Sequence, residues 1–585
     1  MIIKSKYLNY LSYILLVNFL LSPQIVKSQS LTPDQLSPEQ IPPPRDILPS
    51  NQPPPSETIK PLPPPEELLP SLSDGDSDYS PEEVPGTITI EKFNFVGNTV
   101  FTQEELEAVT ADFINRPISF SELLQARTAV TEFYIDQGYV TSGAYIPPQE
   151  LDEPIITIQI IEGELQEINI SGTRRLDPDY IRSRIKLGAK KPLNIPRLLE
   201  ALQLLQFDPL IATISAELTA GTQPGTSILE LQIKEARSFN IEGTFDNGRS
   251  PSVGTFRRGG AITEANLLGY GDSIDISYFN TDGSDDLGIA YSFPMNPRNG
   301  KLNLKYRQTW SGIIEEPFDD LDGDGNTPDI KSQYQQYEIS FRQPVIQTPN
   351  QELALGIGID HQYSKTEILG QAFPLSPGAG DDGITRISAL RFFQEWTQRN
   401  EREVFAARSQ FNLGIDAFQA TMNNSSPDSS FFSWRGQAQW VRLLDQDFTI
   451  LARTDLQLSD RPLVPLEQFS LGGMGSVRGY RQDALLSDNG LLASVELRIP
   501  LLRARKIGGV LHLIPFFDFG TTWNSGDGTE LKDNTLASVG LGLQWQIQDR
   551  LTARFDWGIP LIDIDDSNDS LQEQGLLFSL NFKLF

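Results

Sequence analysis

The chain has 585 residues, which is too long for one ordinary globular core and predicts several domains or one very large barrel. Its formal net charge of -30 at pH 7 and its pI near 4.5 leave little positive field for binding phosphates, so we expect no nucleic-acid partner. Because the sequence holds no cysteine, a disulfide framework and a thiolate metal site are excluded.

Residues 1–28 have the layout of a secretory signal peptide. Lys4 and Lys6 precede an apolar run over residues 8–21, and residues 26–28 resemble a small-residue cleavage site. The run is shorter than the roughly 20 apolar residues of a membrane-spanning helix. No later stretch approaches that length, so any membrane insertion must use strands that close into a barrel.

Residues 29–86 are dense in proline, serine and acidic side chains, and they include repeated Pro-Pro-Pro triplets. Such a segment buries too little apolar surface to order itself, and its triplets favour stiff, extended polyproline geometry. We therefore predict a disordered linker that acts as a spacer.

Two consecutive segments, residues 87–163 and 164–237, share the order strand, helix, helix, strand, strand. In the first segment, apolar alternation predicts a strand before a turn at Gly97, and capping-box sequences begin at Thr102 and Ser119. The second segment repeats this order with strands predicted at 165–170, 211–218 and 227–233 and helices at 177–184 and 195–205. The repeat predicts two small α+β domains.

Beyond about residue 238 the apolar pattern changes from the helical period to a period of two. Val539, Leu541 and Leu543 alternate with glycine and glutamine, and we count about 16 segments of this kind up to the C-terminus. Strands of about 10 residues, joined by alternately short and long loops, are typical of transmembrane barrels. We therefore predict a mainly β fold in which a barrel of about 16 strands over residues 238–585 follows the two α+β domains.

Several motifs resemble those of a known family. The sequences FNFVGNTVF at 93–101 and IPPQ at 146–149 resemble the first POTRA domain of the haemolysin secretion and activation transporters of the ShlB/FhaC/HecB type. LGYGD at 268–272 is similar to the start of their barrels. GMGSVRGY at 473–480 is similar to the VRGY loop motif of the wider POTRA-barrel superfamily, and FFDFG at 516–520 is similar to its F-x-D-x-G strand motif.

The resemblance implies an outer-membrane transporter of two-partner secretion with two POTRA domains in the periplasm. The POTRA domains would capture an unfolded exoprotein and the barrel would conduct it. The implied partners are this exoprotein, outer-membrane lipid and the barrel-assembly machinery that inserts the barrel. The implied site residues are Val477, Arg478, Gly479 and Tyr480 of the loop motif and Phe516, Asp518 and Gly520 of the strand motif that receives it.

Residue chemistry supports a pairing of the two motifs. Arg478 has five donors in a fixed geometry and stays charged, so the carboxylate of Asp518 on a neighbouring strand can hold it in one orientation. Gly475 and Gly479 let the backbone bend sharply beside it. If the loop folds back into the lumen, we expect this pair to position the loop tip in a wet environment and to add little stability. The alternative is an exposed turn with a solvated arginine.

A calcium loop is a second candidate site. Asp320, Asp322 and Asp324 alternate before Gly325, which is typical of the start of such a loop. Lys331 stands where a calcium loop has its bidentate carboxylate, so the alternative is a solvated acidic loop. No other cofactor is predicted.

We expect no enzymatic activity. The two histidines, His361 and His512, lie in strand-like runs, and the sequence contains neither a G-x-S-x-G elbow nor a phosphate-binding P-loop. Without a P-loop, we expect no ATPase to drive transport in this chain.

Phe585 resembles the terminal aromatic residue that outer-membrane barrels use as an assembly signal. Three alternative functions stay open: a barrel-assembly insertase of the same superfamily, a passive porin, and a surface-binding protein that uses acidic loops. The sequence favours secretion over these, because porins need no POTRA domains and because the two repeats and the IPPQ segment disfavour an insertase.

Overall fold

The computed structural model describes residues 87–150, 154–323, 325, 328–444, 448–526, 533–564 and 570–584. The predicted signal peptide at 1–28, the predicted linker at 29–86 and the predicted assembly signal Phe585 lie outside these residues. Among the described residues, no helix combines the length and the apolar character that crossing a membrane requires.

The first module is a small α+β domain whose second and last strands run parallel in one sheet. In chain order its elements are β1 (Thr87–Thr89), β2 (Lys92–Val96), α1 (Gln103–Val109), β3 (Pro117–Ser119), α2 (Phe120–Asp136), β4 (Gly143–Tyr145) and β5 (Ile155–Ile161). The main sheet has the order β2-β5-β4, and β1 pairs with β3 in a separate sheet that the sequence pattern did not predict. Both helices begin with the predicted capping boxes, at Thr102 and Ser119.

The second module repeats this arrangement. Its elements are β6 (Glu164–Ser171), α3 (Pro178–Gly188), α4 (Ile195–Gln206), β7 (Ile211–Ala220) and β8 (Thr226–Glu235). The sheet order is β6-β8-β7, with β6 parallel to β8. The inner faces of both helices pack on this sheet because their apolar residues recur at helical spacing, as Ile181, Ile185, Leu198 and Leu202 do.

Sixteen antiparallel strands then close into a barrel, which confirms the predicted fold class. In chain order the strands of this region are β9 (Phe239–Asp246), β10 (Arg257–Glu264), β11 (Ser273–Asn280), β12 (Ser284–Pro294), β13 (Lys301–Gly312), β14 (Ile330–Gln347), β15 (Gln351–Ile368), β16 (Gln371–Ala372), β17 (Ile384–Arg399), β18 (Glu403–Gly414), β19 (Phe432–Leu443), β20 (Thr449–Ser459), β21 (Phe469–Leu471), β22 (Leu485–Ser487), β23 (Asn489–Ala504), β24 (Gly509–Trp523), β25 (Thr535–Ile547), β26 (Leu551–Pro560) and β27 (Leu576–Lys583). The wall contains all of them except β16, β21 and β22.

The wall alternates apolar side chains outside with polar side chains inside. Val539, Leu541 and Leu543 of β25 are 38%, 49% and 44% exposed on the outer face, whereas Ser538 and Gln544 are buried on the inner face. Pairing of neighbouring strands satisfies the backbone hydrogen-bonding groups, and the alternation presents an apolar surface to lipid. The strands β14 and β15 each have 18 residues, longer than the expected ten, so they extend beyond the stretch that a tilted strand needs to cross a bilayer.

The long connection between the eleventh and twelfth wall strands, β20 and β23, folds into the barrel lumen. We call residues 460–488 the lumen loop. Its short strands β21 and β22 pair with each other. Its apolar residues form a buried cluster with two residues of the wall, and the members of this cluster are Phe469, Leu471, Val477, Tyr480, Ala484, Leu485, Leu492 and Leu536.

Candidate functional site

Arg478 of the lumen loop lies against Asp518 on β24. Its Nε and Nη2 atoms donate to the two carboxylate oxygens of Asp518 at 2.7 and 2.8 Å, and its backbone N–H donates to one of them at 3.2 Å. The side chains are 1% and 0% exposed. Two parallel bonds from one guanidinium fix both the distance and the plane of the pair.

Further charges surround this pair, and the sequence motifs did not identify them. Arg478 Nη1 lies 2.7 Å from Glu496 of β23 and 3.9 Å from Asp556 of β26. Arg554 binds both of these carboxylates, and Arg498 lies 3.6 Å from Glu496. Arg453 also attracts Asp518 and Glu496 at longer range, so four arginines face three carboxylates.

The environment of the pair is dry, in contrast to the wet lumen that the sequence led us to expect. The ring of Phe516 covers Arg478, with the guanidinium carbon 3.5 Å from the ring centroid. Ser494 donates a hydrogen bond to Asp518 at 2.6 Å. In such a site, removal of one charged partner leaves an uncompensated charge, which typically costs about 3–5 kcal/mol. The pair therefore affects stability more than an exposed pair would.

The neighbouring motif residues hold the loop backbone close to the wall. The Tyr480 hydroxyl lies 2.8 and 2.9 Å from the carbonyl oxygens of Ala537 and Ile562, which share its one proton. Val477 is fully buried in the apolar cluster, and a Cβ at Gly520 would lie 2.6 Å from a methyl group of Leu471 and 3.1 Å from one of Val477. The structure thus brings the loop motif and the strand motif together, and their functional role stays a prediction.

The predicted calcium site is arranged differently from the sequence expectation. Asp320 and Asp322 lie near Asp329, and one carboxylate oxygen from each falls within 4.8 Å of the others. Asp324 lies outside the described residues. Asp329 was missed because it does not occupy the usual final ligand position. Burial, together with the nearby carboxylates of Asp322 and Asp320, raises its pKa. Calcium binding stays a prediction.

Two protein-family models match this chain. The model described as haemolysin secretion/activation protein ShlB/FhaC/HecB matches residues 225–545, which is more than half of the chain. The ShlB-type POTRA domain model matches residues 88–163. The chain belongs to the ShlB/FhaC/HecB family. It is therefore an outer-membrane transporter of two-partner secretion with POTRA domains on the periplasmic side, as the motifs predicted.

Individual relatives agree with this family membership. The outer membrane transporter CdiB of Dickeya dadantii is 24% identical over 77% of this chain and 78% of its own length. The heme/hemopexin transporter protein HuxB of Haemophilus influenzae is 22% identical over 72% of this chain and 74% of its own length. The solved structure of CdiB from Escherichia coli has a TM-score of 0.66 at 21% identity, covering 88% of this chain and 92% of that one, which shows the shared fold.

Proposed function

We propose that the POTRA domains hold an unfolded exoprotein in the periplasm and that the barrel conducts it once the lumen loop moves. The observation that carries this proposal is that the loop lies inside a polar lumen and is held there by reversible contacts, including the bonds of Arg478 to Asp518. A polar wall offers an unfolded chain few apolar surfaces to which it can adhere. Folding of the exoprotein outside the cell supplies the drive, and the chain itself has no catalytic role.

Further partners belong to the same proposal. The apolar outer face of the barrel contacts outer-membrane lipid, as the exposed Leu541 and Leu543 of β25 favour. The barrel-assembly machinery inserts the barrel. Nucleic acid is not a partner, because the chain has a net charge of -30.

In this proposal Arg478 is the residue that positions the lumen loop against the wall. Replacing Arg478 by alanine leaves Asp518 buried without its cation, so we expect the loop to lose its place and secretion to fall by roughly tenfold or more. The measurement is the amount of exoprotein in the medium. Barrel assembly is followed in parallel by the heat-dependent mobility of the transporter on gels.

Arg307→Ala is the matched control, because Arg307 pairs with Asp286 on a neighbouring wall strand. We expect this control to retain most of its secretion. Undiminished secretion by the assembled Arg478→Ala variant would contradict the proposed role of the loop.

A further inference from the structure

A second cluster of charged residues holds the lumen loop against another part of the barrel wall. We call residues 460–468, which lead from β20 into the lumen loop, the stem. Glu467 ends a short helical turn in the stem, and its side chain is 7% exposed. Its two carboxylate oxygens lie 2.7 and 3.2 Å from the guanidinium nitrogens of Arg391 on β17. The strands β18, β19 and β20 lie between β17 and β23, and β23 is the first strand that contributes to the charged cluster around Arg478.

Glu467 shares its cation with a carboxylate of the wall. Asp360 of β15 lies 2.6 Å from the same Nη2 atom of Arg391. Gln362 donates through one Nε2 atom to both carboxylates, at 2.7 Å to Glu467 and 2.8 Å to Asp360. Two carboxylates thus compete for one arginine, and their mutual repulsion weakens the hold on Glu467.

The consequences of release differ between the two clusters. If Glu467 leaves, Arg391 keeps Asp360 and also Asn412, to which its Nη1 donates at 2.9 Å. If Arg478 leaves, Asp518 keeps Ser494 and the longer-range attraction of Arg453, but it has no other arginine within salt-bridge distance among the described residues. Because an uncompensated buried charge is costly, release of the Glu467 carboxylate costs less electrostatic free energy than release of the Arg478 guanidinium.

The lumen also contains space beside Glu467 into which the stem can move. A cavity of about 610 Å³ is lined by Leu466, Glu467 and Gln468 of the stem and by wall residues that include Arg391 and Gln410. A carboxylate that enters this polar cavity can be solvated, so its release exposes no unsatisfied charge.

We propose that Glu467 is a releasable second anchor of the lumen loop, which holds the stem by sharing Arg391 with Asp360 and frees it while Arg478 stays bound. Glu467 is then a positioning residue for transport, and Asp360 sets how easily the stem opens. This inference rests on the proposed function of the loop as a movable obstruction.

The test records ion current through the full-length transporter in a planar lipid bilayer. Glu467→Gln removes the charge that binds Arg391, so we expect the open fraction to rise roughly tenfold. Asp360→Asn removes the competing carboxylate and leaves Arg391 to Glu467 alone, so we expect the open fraction to fall. Opposite shifts support the anchor, because a merely structural role would move both variants in the same direction.

Glu403→Gln is the control, because Glu403 pairs with Arg442 across two wall strands and lies outside the lining of this cavity, and we expect its current to match that of the unchanged protein. Heat-dependent mobility on gels establishes that every variant is assembled. Equal currents, shifts in the same direction, or a fall for Glu467→Gln with a rise for Asp360→Asn would overturn the anchor, whatever Arg478→Ala does to secretion. Opposite current shifts together with undiminished secretion by Arg478→Ala would keep the anchor and reject the proposed function.

Discussion

At the scale of single residues, two glycines let the lumen loop touch the wall. Gly479 has a φ of 97°, a conformation that side chains rarely adopt, and a Cβ there would lie 3.1 Å from the carbonyl group of Gly558 on β26. A Cβ at Gly558 would lie 2.7 Å from the backbone nitrogen of Gly479. The loop position needs glycine for its backbone and the wall position needs it for space.

Alanine at either position should push the loop away from the wall and disturb the Arg478 cluster. For Gly479→Ala we expect a loss of about 1–3 kcal/mol from backbone strain, and reduced secretion. Gly558→Ala should reduce secretion through the collision alone. Gly143→Ala is the control, because its Cβ would meet only Thr131 at 3.9 Å. Normal secretion by both test variants would show that the close approach is unnecessary.

At the scale of elements, the end of β8 holds residues 174–176 of the second α+β module, and Arg175 of this segment reaches the barrel. The Glu235 carboxylate accepts hydrogen bonds from the backbone N–H groups of Arg174, Arg175 and Leu176. The Arg175 side chain lies 3.1 Å from Glu264 of β10. Burial tends to raise the pKa of Glu235, but the three N–H donors outweigh it and lower the pKa below its ordinary value of 4.5.

This contact should weaken in acid. Because the folded-state pKa of Glu235 is lowered, its contribution to stability is present above the unfolded-state value and is lost as pH falls through the lowered pKa. We expect the amides of Arg174, Arg175 and Leu176 to stay protected from hydrogen exchange from about pH 7 to 5, after correction for intrinsic rates, and to lose protection below about pH 4. Glu235→Gln should show little protection across this whole range. Protection that is independent of pH in the unchanged protein would refute the role of the carboxylate.

At the scale of the whole molecule, the barrel closes where its last strand meets its first. The residues Ser579 to Lys583 of β27 pair with Glu242 to Asp246 of β9. Thr244 and Asn581 are direct partners, and their side chains are hydrogen-bonded at 3.0 Å. In the proposed function, transport through the lumen requires movement of the lumen loop and leaves this seam intact, whereas an insertase that releases barrels sideways would need the seam to open.

A disulfide across the seam distinguishes transport through the lumen from sideways opening of the barrel. The chain has no cysteine, so Thr244→Cys with Asn581→Cys introduces a single possible bond, and directly opposed Cα atoms lie in the range that a disulfide spans. We expect the oxidised double variant to secrete its exoprotein within about twofold of the unchanged protein. Thr244→Cys alone is the control. Loss of secretion on oxidation, with recovery on reduction, would point to an opening seam.

The amino-acid sequence determined the types of the main elements, although it did not predict the short sheet of β1 and β3. A period of two in a chain without a long apolar helix predicts a closed barrel, because lipid tolerates no unpaired strand edge. Capping boxes located the helices of the first module, and the repeat located those of the second. The loop and strand motifs also predicted that Arg478 would pair with Asp518, and the two are in contact.

Only the tertiary structure decided which other groups share the lumen with them. The alternation shows which face of a strand a residue occupies. The strand register and the course of the loop decide where the residue lies along the barrel axis and which residue it contacts. Glu496 and Asp556 therefore contact Arg478 from other strands, and Glu467 contacts Arg391 on another part of the barrel wall. The dry surroundings of Arg478 arise in the same way, since Phe516 of β24 covers it where the folded loop meets the wall.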